Sequence, residues 1–512
     1  MRHYALGVAD FPTISEPPAL DFPDGVREGP KARKRVEARK TLWFAILSVT
    51  VLCGCSTVNV YKEADGLFVA GNYKGAADRV RTAAEPKIES SQLLNWLYMG
   101  SGDFAAGNHP ATVADFTAAE SCLKLQNMQF LGGAFSGGDY LARTYDETMM
   151  NFYQALSFLA GGKVDRARVE FNRVVERQGR AAKRNEVKIA EAKAAAAKAE
   201  KARSKKTEGN KIIAGASCPG IDELEKELAQ WSPYADYMNP AAVFMSGAFM
   251  LLWGEDSSDY EHGLTYFKRA AGMQDSSAAH KAIEILERKA SGHASPGDRD
   301  FVLVLFENGM APEKEEIRKE IIIPYRYPIH AGISMPKLVH RGGAHERLSL
   351  WDGGNALGAT EMICDFERVV AKEFAEEFKW ESRKAYLAAI VRIGIQIALM
   401  EVERAQLDRQ VKEGKMSPFA RDLILVASGA VLSAVCSATM GSDLRMWSTL
   451  PKNFQAAIVP KPQGGVLSVK DASGAASIAE VQLPKDGPSF VYLKLPTAAN
   501  QATVFTVNGR KE

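Results

Sequence analysis

From Val58 to about Met273, apolar residues recur every three or four positions, with Gly or Asn at the breaks. That is the period of amphipathic helices. Near Gly297 the pattern changes. Phe301–Phe306 (FVLVLF) is a continuous apolar run of the buried-strand type, closed by the hairpin dipeptide Asn308-Gly309, and Ile321–Pro324 predicts a second strand. Tyr325–Arg347, rich in Pro, Gly and His, reads as strand and loop, and helical spacing returns over Thr360–Trp380 and Glu381–Arg409. Two apolar stretches, Ile390–Met400 and Leu423–Met440, flank a charged linker. The second runs 18 residues without a charge, near the ~20 that a membrane-spanning helix needs. Its many Ala, Ser and Gly residues keep it modestly hydrophobic, so the pattern predicts a helical hairpin buried in the C-terminal part. Over Gln455–Val507, short runs (AAIV, VLSV, AEVQL, FVYLKL, TVFTV) alternate with Gly and Pro turns and predict a small antiparallel β unit. The fold class expected is mainly α with a smaller β part: a helical solenoid followed by an α+β region.

Within the helical half the residues repeat. Gly71, Tyr73 and Ala76 lead to Val80 and Ala83; Trp96, Gly100, Phe104, Gly107, Phe116 and Ala119 form a fuller copy. Phe158, Gly162, Ala167 and Phe171 make a third. Gly247, Gly254, Tyr260, Phe267 and Ala270 make a fourth, with 255–258 read as an insertion. These residue types at these spacings are those of the tetratricopeptide repeat. Small residues let two helices approach, and large ones fill the space between successive hairpins. A single hairpin cannot bury its apolar face, so such repeats stack into a solenoid with a concave surface. Residues 177–217 interrupt the series with a basic, Ala- and Lys-rich helical excursion. The domains expected are 55–295 (helical repeats), 296–454 (α+β with the apolar hairpin) and 455–512 (the β unit).

The N-terminus changes the picture. A basic cluster (Lys31, Arg33, Lys34, Arg35, Arg39, Lys40) precedes the apolar run Thr41–Val51, and Leu52-Cys53-Gly54-Cys55 follows. Charged flank, short apolar run and small residues are the parts of a signal peptide, and about ten apolar residues do not span a bilayer. Residues 1–54 are therefore set aside from the fold, the Pro-rich first 30 included. The ending resembles a bacterial lipobox. That resemblance implies that Cys55 becomes the lipidated N-terminus and that Ser56 directs sorting to the outer membrane, on its periplasmic face.

Charge and chemistry narrow the function. A net charge of +2 lacks the basic excess of a nucleic-acid binder. Cys122, Cys218, Cys364 and Cys436 are far apart and form no CxxC pair, so their pairing stays open, with Cys122 and Cys436 in apolar helical contexts. Ser121-Cys122-Leu123-Lys124 has the S-x-x-K spacing of penicillin-recognising enzymes but sits in a repeat helix without the companion Lys-Thr-Gly. His340 and His345 share a Gly-Gly loop without a third ligand, so no metal is expected, and no cofactor beyond the lipid on Cys55. Asp443, Arg445 and Trp447 alternate on one face, and Arg445 with Trp447 could build a ligand groove.

Three segments together resemble an uncharacterised bacterial family of tetratricopeptide-repeat-type lipoproteins. They are Pro233-Tyr234 to Asn239-Pro240 with Gly247; Leu305–Pro312 (LFENGMAP) with Lys314-Glu315-Glu316; and Asp443–Pro451 (DLRMWSTLP). The resemblance covers about residues 55–465. Members are often encoded beside lipoproteins similar to activators of penicillin-binding proteins, which implies a part in envelope or cell-wall assembly. The expectation is a non-enzymatic, membrane-anchored scaffold that binds a protein partner in the envelope, which could be another lipoprotein. The alternatives are a periplasmic enzyme or carbohydrate-binding module in residues 300–512, and a secretion-machine component.

Overall fold

The computed structural model describes residues 56–131, 139–180, 221–234, 237–324, 328–438 and 441–510. Cys55 with its lipobox and most of the basic excursion lie outside these residues. The chain is mainly α-helical with a smaller β part toward the C-terminus.

Three helix–turn–helix units come first: α1 (Ser56–Val69) with α2 (Tyr73–Ala84), α3 (Leu93–Ala105) with α4 (His109–Leu131), and α5 (Thr144–Ala160) with α6 (164–180). All three turns are built alike. Gly71, Gly107 and Gly162 adopt φ of +79°, +75° and +67°. Each glycine N–H bonds the carbonyl three residues back (Phe68, Phe104, Leu159), and the next N–H bonds the one five back (Leu67, Asp103, Phe158). This left-handed cap satisfies the last helical carbonyls, and a residue with a Cβ would be strained there. Packing follows the expected residues. A Cβ at Gly100 would lie 2.7 Å from the Phe116 ring, and one at Gly247 would lie 2.9 Å from Phe267. Tyr73, Ala76, Phe116, Ala119, Phe171 and Phe267 are buried, and Trp96 and Tyr260 pack at the margin of the same core.

After α7 (Ile221–Ala229), α8 (Pro240–Trp253) and α9 (Ser257–Met273) form the fourth hairpin, and α10 (Ser277–Ala290) packs on α9. Residues 257–258 open α9, which the Asp256 side chain caps, and Gly254 ends α8 at φ −59° rather than in a left-handed turn.

β1 (Phe301–Asn308) is the centre of a five-stranded sheet. It runs antiparallel to β7 (Asn453–Pro460), which pairs with β6 (Glu361–Asp365), and parallel to β10 (Ser489–Leu495), which pairs with β11 (Thr503–Asn508). Phe301, Leu303, Leu305, Phe490 and Tyr492 face the helical core. Val302, Val304, Phe306, Val491 and Leu493 face a second sheet of β4 (Ser349–Asp352), β5 (Asn355–Ala359), β8 (Val466–Lys470) and β9 (Ser477–Gln482). The layers are thus helix, sheet, sheet, and β1 is covered on both faces, which explains its unbroken apolar run.

Three sequence expectations fail on this sheet. The strands of 455–512 do not form a unit of their own: β7, β10 and β11 share the main sheet with β1 and β6, and β1 with β10 is a parallel pair. Asn308-Gly309 turns the chain, with Gly309 at φ +69°, but closes no hairpin, because β2 (Glu313–Pro324) pairs with β3 (Pro328–Val339) in a separate two-stranded ribbon. Residues 361–365 are strand rather than helix. Ile363 and Cys364 are buried, and Asp365 then caps the helix through Glu367 N–H.

That helix, α11 (Phe366–Lys412), spans 47 residues, about 70 Å at 1.5 Å per residue. It forms the expected hairpin with α12 (Pro418–Ala438), Gly429 resting on Met400. The hairpin is not fully buried, however: Ile395, Val402, Phe419, Leu423, Val426 and Val431 are exposed. Among the described residues, no helix is long and apolar enough to cross a membrane.

Candidate functional site

The motifs that stand out in the sequence converge where the helices meet the sheet. In DLRMWSTLP, Trp447 is wholly buried. Its indole N–H reaches Ser101 Oγ (3.2 Å) and Thr449 Oγ1 (2.9 Å). Tyr98 O–H donates to the Met446 carbonyl (3.2 Å) and lies 2.5 Å from Ser448 Oγ, which donates to Asp65 Oδ2 at 2.5 Å. Arg341 binds the Ser448 and Ala311 carbonyls and stands 3.9 Å from Asp65. Asp65 comes from α1, Tyr98 and Ser101 from α3, and Arg341 from the loop after β3, so one short segment ties three distant parts of the chain.

This segment also forms one wall of a cleft lined by Tyr61, Asp65, Tyr98, Glu313, Lys314, Arg445 and Ser448, with a cavity volume of about 30 Å³. Burial raises the Asp65 carboxyl, with Arg341 pulling the other way, and it pushes Tyr61 up to about 12. A cavity of this size admits a water or two, well under the roughly 300–1,000 Å³ of ligand pockets. Tyr98, Ser448 and Asp65 Oδ2 are bonded in a chain, Tyr61 O–H donates to Asn95 at 2.7 Å, and Asp65 Oδ1 is buried without a hydrogen-bond partner. The expected groove on Arg445 and Trp447 is not built: Arg445 lines the cleft, paired with Asp443 at 2.8 Å, whereas the indole points into the core because its apolar area is taken up by Phe116 and Tyr153.

LFENGMAP forms the other half of the joint. Glu307 on β1 and Lys494 on β10 are register neighbours. They pair at 2.6 Å with almost no exposure, and Tyr153 of α5 donates to the same carboxylate oxygen at 3.0 Å. Asn308 clamps the loop beyond β3. Its Oδ1 accepts from Ala344 N (2.8 Å) and His345 N (3.1 Å), and its Nδ2 donates to the His345 carbonyl (2.7 Å). A Cβ on Gly309 would come within 2.8 Å of the Gly342 carbonyl, so backbone approaches backbone there and only glycine fits. In the first motif, Asn239 caps α8 through Ala241 and Ala242 N–H, while Tyr234 O–H accepts from Asp365 N (3.1 Å).

The remaining candidates separate. His340 stacks on Trp231 at 3.6 Å and bonds Glu367 at 3.0 Å, while His345 is held through its backbone; the two do not converge. Ser121 Oγ donates to the Thr117 carbonyl, and Lys124 pairs with Glu120, so the S-x-x-K residues serve their own helix. Cys122 and Cys364 are free and buried. Among the described residues, no group of three or more His, Cys, Asp or Glu is placed to hold a metal.

Sequence reasoning missed a carboxylate pair. Arg81 bridges Asp103 (2.7 Å) and Asp115 (3.2 Å) between α2, α3 and α4. Burial first and the neighbouring Asp103 second push Asp115 up to about 7, against the pull of Arg81. It also missed Asp65, Tyr98 and Arg341. Only Ser448 and Glu307 lay inside recognisable motifs, and their partners are too distant in sequence to be paired by inspection. No protein-family model, curated protein or solved structure matches the chain.

Proposed function

We propose that the protein is a lipoprotein of the bacterial cell envelope, anchored through Cys55 to the periplasmic face of the outer membrane. There it acts as a non-enzymatic scaffold for a protein partner, in envelope or cell-wall assembly. The observation that carries this reading is the use made of the buried polar residues. Ser448, Tyr98, Asp65 and Arg341 form one bonded set and Glu307, Lys494 and Tyr153 another, and both join the helical hairpins to the sheet side. A body braced in this way suits the presentation of a fixed surface. The repeated glycine-capped hairpins support a tetratricopeptide-like arrangement of that surface, and Met128 and Val169 are large apolar residues exposed on it.

Two measurements test the reading in cells. Labelling with an alkyne-bearing palmitate is expected to mark the wild type and not Cys55→Ala. A photo-crosslinking amino acid at Met128 or Val169 is expected to trap one discrete partner, while one at Lys485, on the far side of the chain from the repeats in sequence, traps none. Absence of label, or the same adducts from all three positions, contradicts the proposal.

A further inference from the structure

We propose that residues 500–510 form an acid-sensitive strap, which closes the ends of the helical hairpins and is loosened when His109 takes up a proton. The proposal stands apart from the anchored reading above. The strap follows from what the helix turns leave unbonded. A helix ends with carbonyls that have no partner within the helix, and the glycine turns satisfy only some of them. In three of the four hairpins, the carbonyl two residues before the glycine that follows the first helix is bonded by this one segment. Asn500 Nδ2 donates to the Val69 carbonyl (3.0 Å), before Gly71. Thr503 Oγ1 donates to the Ala105 carbonyl (2.6 Å), before Gly107. Arg510 N donates to the Leu252 carbonyl (2.7 Å), before Gly254. In return, the Trp253 indole N–H donates to the Asn508 carbonyl at 2.9 Å. β11 is an edge strand, bonded to β10 alone within its sheet, so the helix ends supply the rest of its polar contacts.

His109 sits where the strap crosses the second hairpin. It is the first residue of α4. Its ring packs nearly at right angles to Phe104 of α3 (5.7 Å between centroids) and to Phe505 of β11 (5.3 Å). Its Nδ1 is buried without a hydrogen-bond partner. An imidazolium carries a proton on both nitrogens, so the charged ring would present an N–H there to no acceptor. It would do so at a helix N-terminus, whose dipole disfavours positive charge. Burial accordingly lowers the pKa of this ring.

The titratable groups around the cluster do not offset a charge on His109. Tyr153 of α5 and Tyr492 of β10 adjoin Phe104, and burial raises both well above the ordinary tyrosine range, so they stay neutral. Glu307 of β1 and Lys494 of β10 pair with each other. Asp103 of α3 and Asp115 of α4 share Arg81 of α2, and β11 (TVFTVN) carries no charged residue. The folded pKa of His109 lies below that of an unfolded histidine. Closure of the strap is therefore fully favoured above about pH 6.5 and is lost as pH falls through the folded value. Asp115 changes stability with pH in the opposite sense, so the strap is read locally rather than from global melting.

The test is hydrogen–deuterium exchange of the full-length chain at pH 7.5 and pH 5.5, corrected for intrinsic exchange rates and read at the amides of residues 500–510. In the wild type their protection is expected to fall about threefold or more at the lower pH. In His109→Phe, which cannot take up a proton, it is expected to stay constant. His109→Gln gives the same result and serves if the larger ring does not fold. The titration of the His109 ring itself, followed by NMR in the wild type, is expected below the ordinary 6.5. Equal protection at both pH values in the wild type, the same loss in the variants, or a ring that titrates at or above 6.5 overturns the proposal.

Discussion

At the seam between helices and sheet, Trp447 is sealed from solvent and its indole N–H has two hydroxyl partners. On the α11–α12 hairpin, Leu423 and Val426 stand more than half exposed. Both regions are apolar in sequence, and both are flanked by charge. They differ in what the rest of the chain brings to them. The seam receives side chains from α1, α3, α5, β1 and β10, which fill its space and close most of its hydrogen bonds, with Asp65 Oδ1 and Glu307 Oε1 left unpartnered. The hairpin packs on the ribbon strand β3, and its long helix also meets α5, α7 and β7. One molecule thus contains a region closed within the chain and a region that leaves large apolar side chains uncovered.

Substitutions can break or sharpen that contrast. The largest expected effect is at the buried pair. Glu307→Ala leaves Lys494 charged and unpartnered in the core, costing about 3–5 kcal/mol in urea unfolding. Glu307→Leu/Lys494→Met, which removes both charges, is expected to recover most of that loss. A double variant as unstable as the single one would mean that the pair does not carry the joint. Next, Trp447→Ala is expected to cost about 3–5 kcal/mol through cavity formation, whereas Leu423→Ala, equally apolar but uncovered, changes stability by no more than about 0.5 kcal/mol. Equal losses at the two sites would erase the distinction between seam and hairpin.

A further effect concerns pH. Asp115 has its folded pKa raised to about 7, above the ~3.9 of an unfolded aspartate. The folded state therefore holds the proton more tightly, and its contribution is fully present below about pH 4 and lost as pH rises through about 7. The melting temperature is expected to fall between pH 5 and pH 8 in the wild type and to fall less in Asp115→Asn. An identical slope in both proteins would place the titrating group elsewhere.

Much of the architecture was legible in the chain, for local reasons. Gly71, Gly107 and Gly162 announce their turns because a left-handed cap selects glycine almost alone. Gly100 with Phe116 announces a helix contact because a missing Cβ and a ring are complementary. The β runs were legible as strands but not as a sheet. Nothing in Phe301–Phe306 says that its parallel neighbour is Ser489–Leu495, since register is a property of pairs and not of either member. The helix expected to begin at Thr360 begins instead at Phe366, because burial of Ile363 and Cys364 beside β7 outweighs a periodicity that continues across the boundary. The candidate groove on Arg445 and Trp447 failed for a related reason. Alternation implied a shared face, but the segment is extended and irregular, and the tryptophan follows the largest available apolar space. Asp65, Tyr98 and Arg341 carried no local signal, since their importance lies in meeting Ser448.

The placement of β1 bears on how the chain must fold. Glu307 and Lys494 are separated by 187 positions, and Tyr98 and Ser448 by 350. Contacts this remote form slowly, because a long loop must be closed before they repay its entropy. Until β10 is delivered, β1 has one bare edge and two apolar faces, a ready site for mispairing with another chain. A nascent polypeptide that has emerged only as far as α12 therefore holds its most aggregation-prone strand unguarded. The last few dozen residues act as the closing clasp, because only they bring β10 and β11 to the open edge of β1.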